Sequence, residues 1–99
     1  MNDAQKILEN MLGPLTIGKL IRNYRRRNDI TLEVLAIKLN VTKGFISNIE
    51  TGKKSISLEK CLEIAKSLKH SKEFFANVWF QEQARNAGLD WKKITKKIA

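Results

Sequence analysis

Along most of the chain, apolar residues recur every three or four positions, and nowhere do they alternate convincingly with a period of two. Ile7, Leu8, Met11 and Leu12 follow a possible cap at Asp3 and stop at Gly13-Pro14, a dipeptide that breaks a helix. They predict a short amphipathic arm, which packs on its own domain in the favoured reading and meets a second subunit in the sharper one. Leu20, Ile21 and Tyr24 then mark the apolar stripe of a helix from Ile17 to about Arg27, ended by Asn28-Asp29. Thr31 can cap a second helix of roughly eight residues, with Glu33 favoured in its first turn by the macrodipole. Leu35 and Leu39 face inward there, and Ala36 is small enough for another helix to cross closely. Asn40 suits a tight turn with positive φ. Thr42 can cap a third helix that buries Ile46 and Ile49 and stops at Gly52.

After a loop at Lys53, Lys54 and Ser55, Ser57 can cap a fourth helix whose apolar side carries Leu58, Leu62, Ile64, Ala65 and Leu68. Ser71 can cap a fifth, from about Lys72 to Ala87, ended by Gly88. In the tail, Trp91, Ile94 and Ile98 return at helical spacing between lysines. The expected fold is all-α, a compact bundle of about five short helices with extensions at both ends. The expected division is an arm over 1–15, a central domain over 16–70, and a helix with basic tail over 71–99.

Composition narrows the class. With 42% hydrophobic and 29% charged residues the chain is expected to fold, and 99 residues support only a modest core, so a dimer that buries more surface is unsurprising. The net charge of +9 suits a polyanion, nucleic acid before an anionic membrane surface, with a merely soluble basic surface as the plain alternative. One cysteine and one histidine can form neither an internal disulfide nor a structural zinc site. Cys61 lies within a helical apolar pattern and reads as a buried thiol; His70 reads as a solvated loop residue. The N-terminus has no signal-peptide pattern and no stretch approaches membrane-spanning length, so the cytoplasm is the expected compartment and no membrane partner is expected. No paired carboxylates, nucleophile with a base, or glycine-rich phosphate loop occur, so neither an enzyme nor a cofactor is expected.

The central stretch "LAIKLNVTKGFISNIETG", Leu35 to Gly52, carries the sharpest signal. Two short helices joined by a three- or four-residue turn describe a helix-turn-helix. Its third helix sorts small and polar residues (Thr42, Lys43, Gly44, Ser47 and Asn48) away from the apolar positions a shared core needs. A polar face of that size fits the major groove, where base edges carry a distinct donor and acceptor pattern.

From Ile17 to Leu68 the chain resembles the phage-repressor and Cro class of helix-turn-helix domains, often called Xre-like. Members often read "IRxxRxxxxLTQxxLAxxLGVSxxxISxxExG", and this chain reads "IRNYRRRNDITLEVLAIKLNVTKGFISNIETG". The resemblance implies a lambda-repressor-like fold and a sequence-specific regulator that reads an inverted repeat in double-stranded DNA as a homodimer. It implies base reading by Lys43 and Asn48, with Gly44 at a further reading position but without a side chain, and Ser47 as a weaker candidate. Lysine suits guanine O6 and N7, and asparagine suits adenine N6 and N7. Thr42, Thr51, Lys53, Lys54 and Lys38 become candidates for the phosphate backbone, with Arg22, Arg26 and Arg27 able to help. Arg25 and Glu50 match an arginine and a glutamate that pair in many members, a structural role first. Phe45 is expected to pack against the preceding helix, with contact to a thymine methyl as the alternative.

Two residues bear on how the domain would dock and cap. Leu32 stands where a glutamine commonly bonds phosphate, and Val34 replaces the glutamate of the usual capping box. Phe74, Phe75, Val78, Trp79 and Phe80 spread over more than one face of the fifth helix. Phe74, Phe75, Val78, Trp79 and the tail residue Trp91 are therefore dimer-interface candidates, with a core role equally open for each. Lys92, Lys93, Lys96 and Lys97 can touch DNA, an acidic partner or a membrane, or stay solvated. Two further readings remain: an antitoxin-type regulator that also binds a toxin, and a protein-interaction module that keeps the fold without base readout. Leu32 and Gly44 favour the latter.

Overall fold

The computed structural model describes residues 13–91 and residue 93. The arm residues Ile7, Leu8, Met11 and Leu12, and the tail residues Lys92, Ile94, Lys96, Lys97 and Ile98, lie outside the described residues.

Each helix starts at a hydroxyl side chain and closes through one left-handed residue, Gly52 (φ 81°) in the case of the third. The five are α1 (Ile17–Arg27), α2 (Leu32–Leu39), α3 (Lys43–Glu50), α4 (Leu58–Ser67) and α5 (Lys72–Asn86), and no strand occurs among the described residues. Thr16, Thr31, Thr42, Ser57 and Ser71 each accept a hydrogen bond from the backbone N–H three residues on. That bond satisfies one of the donors a helix start leaves open, typically worth about 1 kcal/mol. At the C-termini, Asp29, Asn40 and Lys69 hold φ near 54–55° and Gly88 holds 78°. The next residue's N–H then reaches back into the helix, Ile30 to the Arg25 carbonyl, Val41 to Ala36, His70 to Ala65 and Leu89 to Ala84, at 2.8–3.0 Å. The turn at Asn40 follows expectation; the left-handed residue at Lys69 does not advertise itself, because lysine carries no turn signal.

All five helices build one core. Ile17, Leu20 and Ile21 of α1 meet Leu35, Ala36 and Leu39 of α2, Ile46 and Ile49 of α3, Cys61, Ile64 and Ala65 of α4 with Leu68 just after it, and Phe75 and Val78 of α5. Each large side chain among these contributes about 1.5–3 kcal/mol by leaving water. Phe75 is fully enclosed and Val78 nearly so, which corrects both as interface candidates: their side chains are spent inside the monomer. Trp79 is half-buried, packs against the same core and donates its indole N–H to the Ile56 carbonyl at 2.8 Å. Phe74 and Phe80 stay exposed, and Trp91 stacks on Phe80 with ring centroids 6.0 Å apart.

His70 is also corrected. It is half-buried, its ring lies 4.1 Å from that of Tyr24 and 5.5 Å from those of Phe74 and Phe75, and its Nδ1 is buried without a hydrogen-bond partner among the described residues. The short closure after α4 turns the ring back against α1 instead of letting it into solvent. Cys61 behaves as expected: burial pushes its thiol up to about 11, helped by the nearby Glu82 carboxylate.

Candidate nucleic-acid interface

Two anchors fix how α3 is presented. Gly18 on α1 lies against the end of α3; a Cβ there would overlap the carbonyl oxygen of Ile49 and come within 2.9 Å of that of Glu50. Only glycine lets the two backbones meet this closely. Beside it, Arg25 donates through Nε to Glu50 Oε2 at 2.8 Å and through Nη2 to Oε1 at 3.0 Å. Its Nη1 donates to the Ile30 carbonyl, so one guanidinium ties α1, the end of α3 and the loop before α2. The Glu50 hydrogen bond raises the arginine pKa above its ordinary value against the opposing effect of burial. The pair the sequence suggested is therefore present, bidentate and largely shielded from water.

On this mount α3 turns Ile46 and Ile49 inward, at 1% and 3% exposure, and presents Lys43, Gly44 and Asn48 to solvent with Ser47 half-buried beside them. Positions 43, 44, 47 and 48 fall on one face because the helix repeats every 3.6 residues. Thr42 is exposed and accepts from the Phe45 N–H at 3.1 Å, its capping role. Gly44 has open space around the position a Cβ would take. The face is thus flat at its centre, with a cation and an amide on either side.

Lys43 has a partner the sequence did not reveal: its Nζ lies 2.8 Å from Glu33 Oε1 on α2. That hydrogen bond, ahead of the carboxylate's own backbone contact, holds the Glu33 carboxyl below its usual range. Both side chains are exposed, so the pair is weak in water and can open.

Beyond α3, Lys54 places its amine over the Phe45 ring, 4.6 Å from the centroid. Phe45 itself is half-buried and packs against the core, as expected. Thr51 donates its hydroxyl to the Ser47 carbonyl at 3.0 Å and closes the helix end; Lys53 is exposed in the loop that follows. Leu32, at the glutamine position of the resemblance, is half-buried against the core. Lys38 stands apart from this group. It lines a cleft between α1, α2 and the end of α4, to which α3 contributes no residue among those described.

Sequence reading also missed how α5 grips α1. Glu82 Oε2 accepts from the Ile17 N–H at 2.8 Å, satisfying an open donor at the positive end of α1, and Arg85 donates to the Leu15 carbonyl. No spacing rule links residues 65 positions apart, so only the fold could show it. Among the described residues no group of histidine, cysteine or carboxylate side chains could hold a metal ion, and no helix is long and apolar enough to cross a membrane.

Comparison with known proteins agrees with this geometry. Residues 21–75 match a family model described as helix-turn-helix. No curated protein matches the chain in sequence. Among solved structures, the clp gene regulator ClgR from Corynebacterium glutamicum superposes with a TM-score of 0.58, at 23% identity over 83% of this chain and 84% of that one. The last likeness is one of fold.

Proposed function

Because the chain belongs to the Cro/C1-type, Xre-like helix-turn-helix family, we propose that it is a sequence-specific DNA-binding transcription regulator that sets α3 into the major groove. The observation that carries this reading is the exposed face of Lys43, Gly44 and Asn48 on a helix locked by Ile46, Ile49 and the Arg25–Glu50 pair. Lys43 leaves Glu33 to reach guanine, Asn48 reaches adenine, and Gly44 lets the helix come close to the base edges between them. Thr42, Thr51, Lys53 and Lys54 supply phosphate contacts that set register and most of the affinity. Two copies read an inverted repeat, since one short helix spans only a few bases. The Phe80–Trp91 stack on the outer side of α5 is the apolar surface that supports pairing of the copies. The role is non-enzymatic and suits the cytoplasm.

Selection of bound duplexes from a random pool tests the reading. The native chain should enrich a palindrome. Lys43→Ala with Asn48→Ala should keep the fold but lose about 1–3 kcal/mol of discrimination for each good bidentate contact. An unchanged preference in that folded variant would defeat the proposal.

Leu32 favours one rival. Its side chain is packed against the core and offers no phosphate contact, which fits a protein-interaction module that keeps the fold without base readout. Absence of any enriched duplex, together with a tight protein partner, would decide for that rival.

A further inference from the structure

A cleft of about 750 Å³ opens where the end of α1, α2 and the end of α4 converge. Arg27, Lys38 and Lys69 come to it from those three elements, and no carboxylate lines it among the described residues. Tyr24 and His70 form an aromatic wall with rings 4.1 Å apart, and the Arg27 guanidinium carbon lies 5.9 Å from the Tyr24 centroid. Folding thus gathers three like charges around a polar opening, an arrangement that favours an anion. His70 is half-buried at this wall, and its Nδ1 has no hydrogen-bond partner among the described residues.

We infer that this cleft is a binding site for the phosphoryl group of a small phosphorylated molecule, with room for a body of nucleotide size. Arg27 offers a planar fork suited to two phosphate oxygens, while Lys38 and Lys69 act as point charges from the other walls. Tyr24 and His70 give the rest of the ligand an aromatic surface. The site is separate from the α3 face, so its fate does not depend on base reading by Lys43 and Asn48. The same chemistry has a second source, the backbone phosphates of bound DNA, and the experiment separates the two.

Pyrophosphate and ADP are titrated into the full chain by calorimetry, with amide chemical shifts followed in parallel. Binding should saturate at one site per chain, moving the amides around residues 67–70 and Arg27. Arg27→Gln and Lys69→Gln, both at exposed side chains, should keep the native circular dichroism and each weaken binding about tenfold, the loss of one charge-assisted contact. Duplex affinity and its salt slope should be unchanged in Lys69→Gln, whose side chain has no part in the proposed DNA contacts. Failure to saturate, or equal affinity in the variants, overturns the inference. A drop in duplex affinity with a shallower salt slope in Lys69→Gln overturns the free-ligand assignment and gives the cleft to DNA phosphates instead.

Discussion

Two glycines, Gly18 packed against α3 and Gly44 within it, behave as opposites. At Gly18 a methyl group would meet backbone carbonyls of Ile49 and Glu50, which cannot rotate away, whereas at Gly44 it would meet nothing among the described residues. Gly18→Ala should therefore destabilise the protein by about 1–3 kcal/mol through overpacking, read as a lower urea midpoint. Gly44→Ala should leave stability equal or raise it by up to about 1 kcal/mol, because alanine favours helix. The same methyl should alter duplex preference, since it lies on the face proposed to meet bases. A native urea midpoint for Gly18→Ala would show that α1 and α3 do not meet as described. Glu33 gives a pH-dependent test. Its carboxyl is held low by Lys43, so the contact contributes above the ordinary carboxylate range and is lost only as pH falls through the lowered folded value. A carbon-detected NMR titration should find Glu33 protonating below its ordinary value of 4.5, and Lys43→Ala should return it upward. The Glu33–Lys43 pair was not legible in the sequence, because residues ten apart on different helices share no periodicity. Only the turn at Asn40 brings them together.

Elements were more legible than pairings. The five starts at or just before Ile17, Leu32, Lys43, Leu58 and Lys72 follow from hydroxyl caps and three-to-four spacing, both local signals. The allocation of α5 was not legible, because aromatic residues on several faces fit a core and an interface equally well. The core accepts Phe75 and Val78 and leaves Phe74 and Phe80 outside, a division set by which face of α5 meets α1 and α4. One consequence concerns truncation: removing everything after Ser71 would take Phe75 and Val78 from the core and unfold the domain, so it cannot isolate a dimer contact. The Arg25–Glu50 pair shows the reverse case, in which a resemblance names a tertiary contact that periodicity alone cannot. Both side chains are nearly shielded, at 11% and 5% exposure, so removing one partner strands the other charge. Arg25→Ala and Glu50→Ala should each lower stability by about 3 kcal/mol or more, and the double variant by clearly less than their sum. Additive losses in thermal unfolding would mean that the pair is not a unit. Cys61 tests the closure of α4 against the rest. With its thiol raised to about 11 and enclosed, it should resist a disulfide reagent at pH 8 and react only as urea unfolds the chain. Its linkage runs downward at alkaline pH: between about 9 and 11 an unfolded thiol ionises while the native one does not, so stability falls across that window.

For the whole molecule the charge of +9 and the shape of the α3 face make separate contributions. In the proposed function, charge draws in any duplex and makes affinity fall with salt, while the face sorts among sequences. That separation allows the number of copies on the DNA to be counted. Each phosphate contact contributes about 0.9 to the slope of log affinity against log salt, so a substitution present once per chain removes about 0.9 from a monomer and about 1.8 from a homodimer. Lys53 is the residue to use. Lys54 is braced over Phe45, and replacing it would also disturb a side chain packed on the core, whereas Lys53 is exposed in the loop after α3. Lys53→Gln should weaken binding to all duplexes alike and flatten the slope by about 1.8 if two copies dock. Phe80→Asp, which charges the outer side of α5 without entering the core, should then reduce the slope change caused by Lys53→Gln to about 0.9, because each complex would hold one chain. If Lys53→Gln already flattens the slope by about 0.9 in the native chain, pairing on DNA is ruled out and a single α3 must carry the readout.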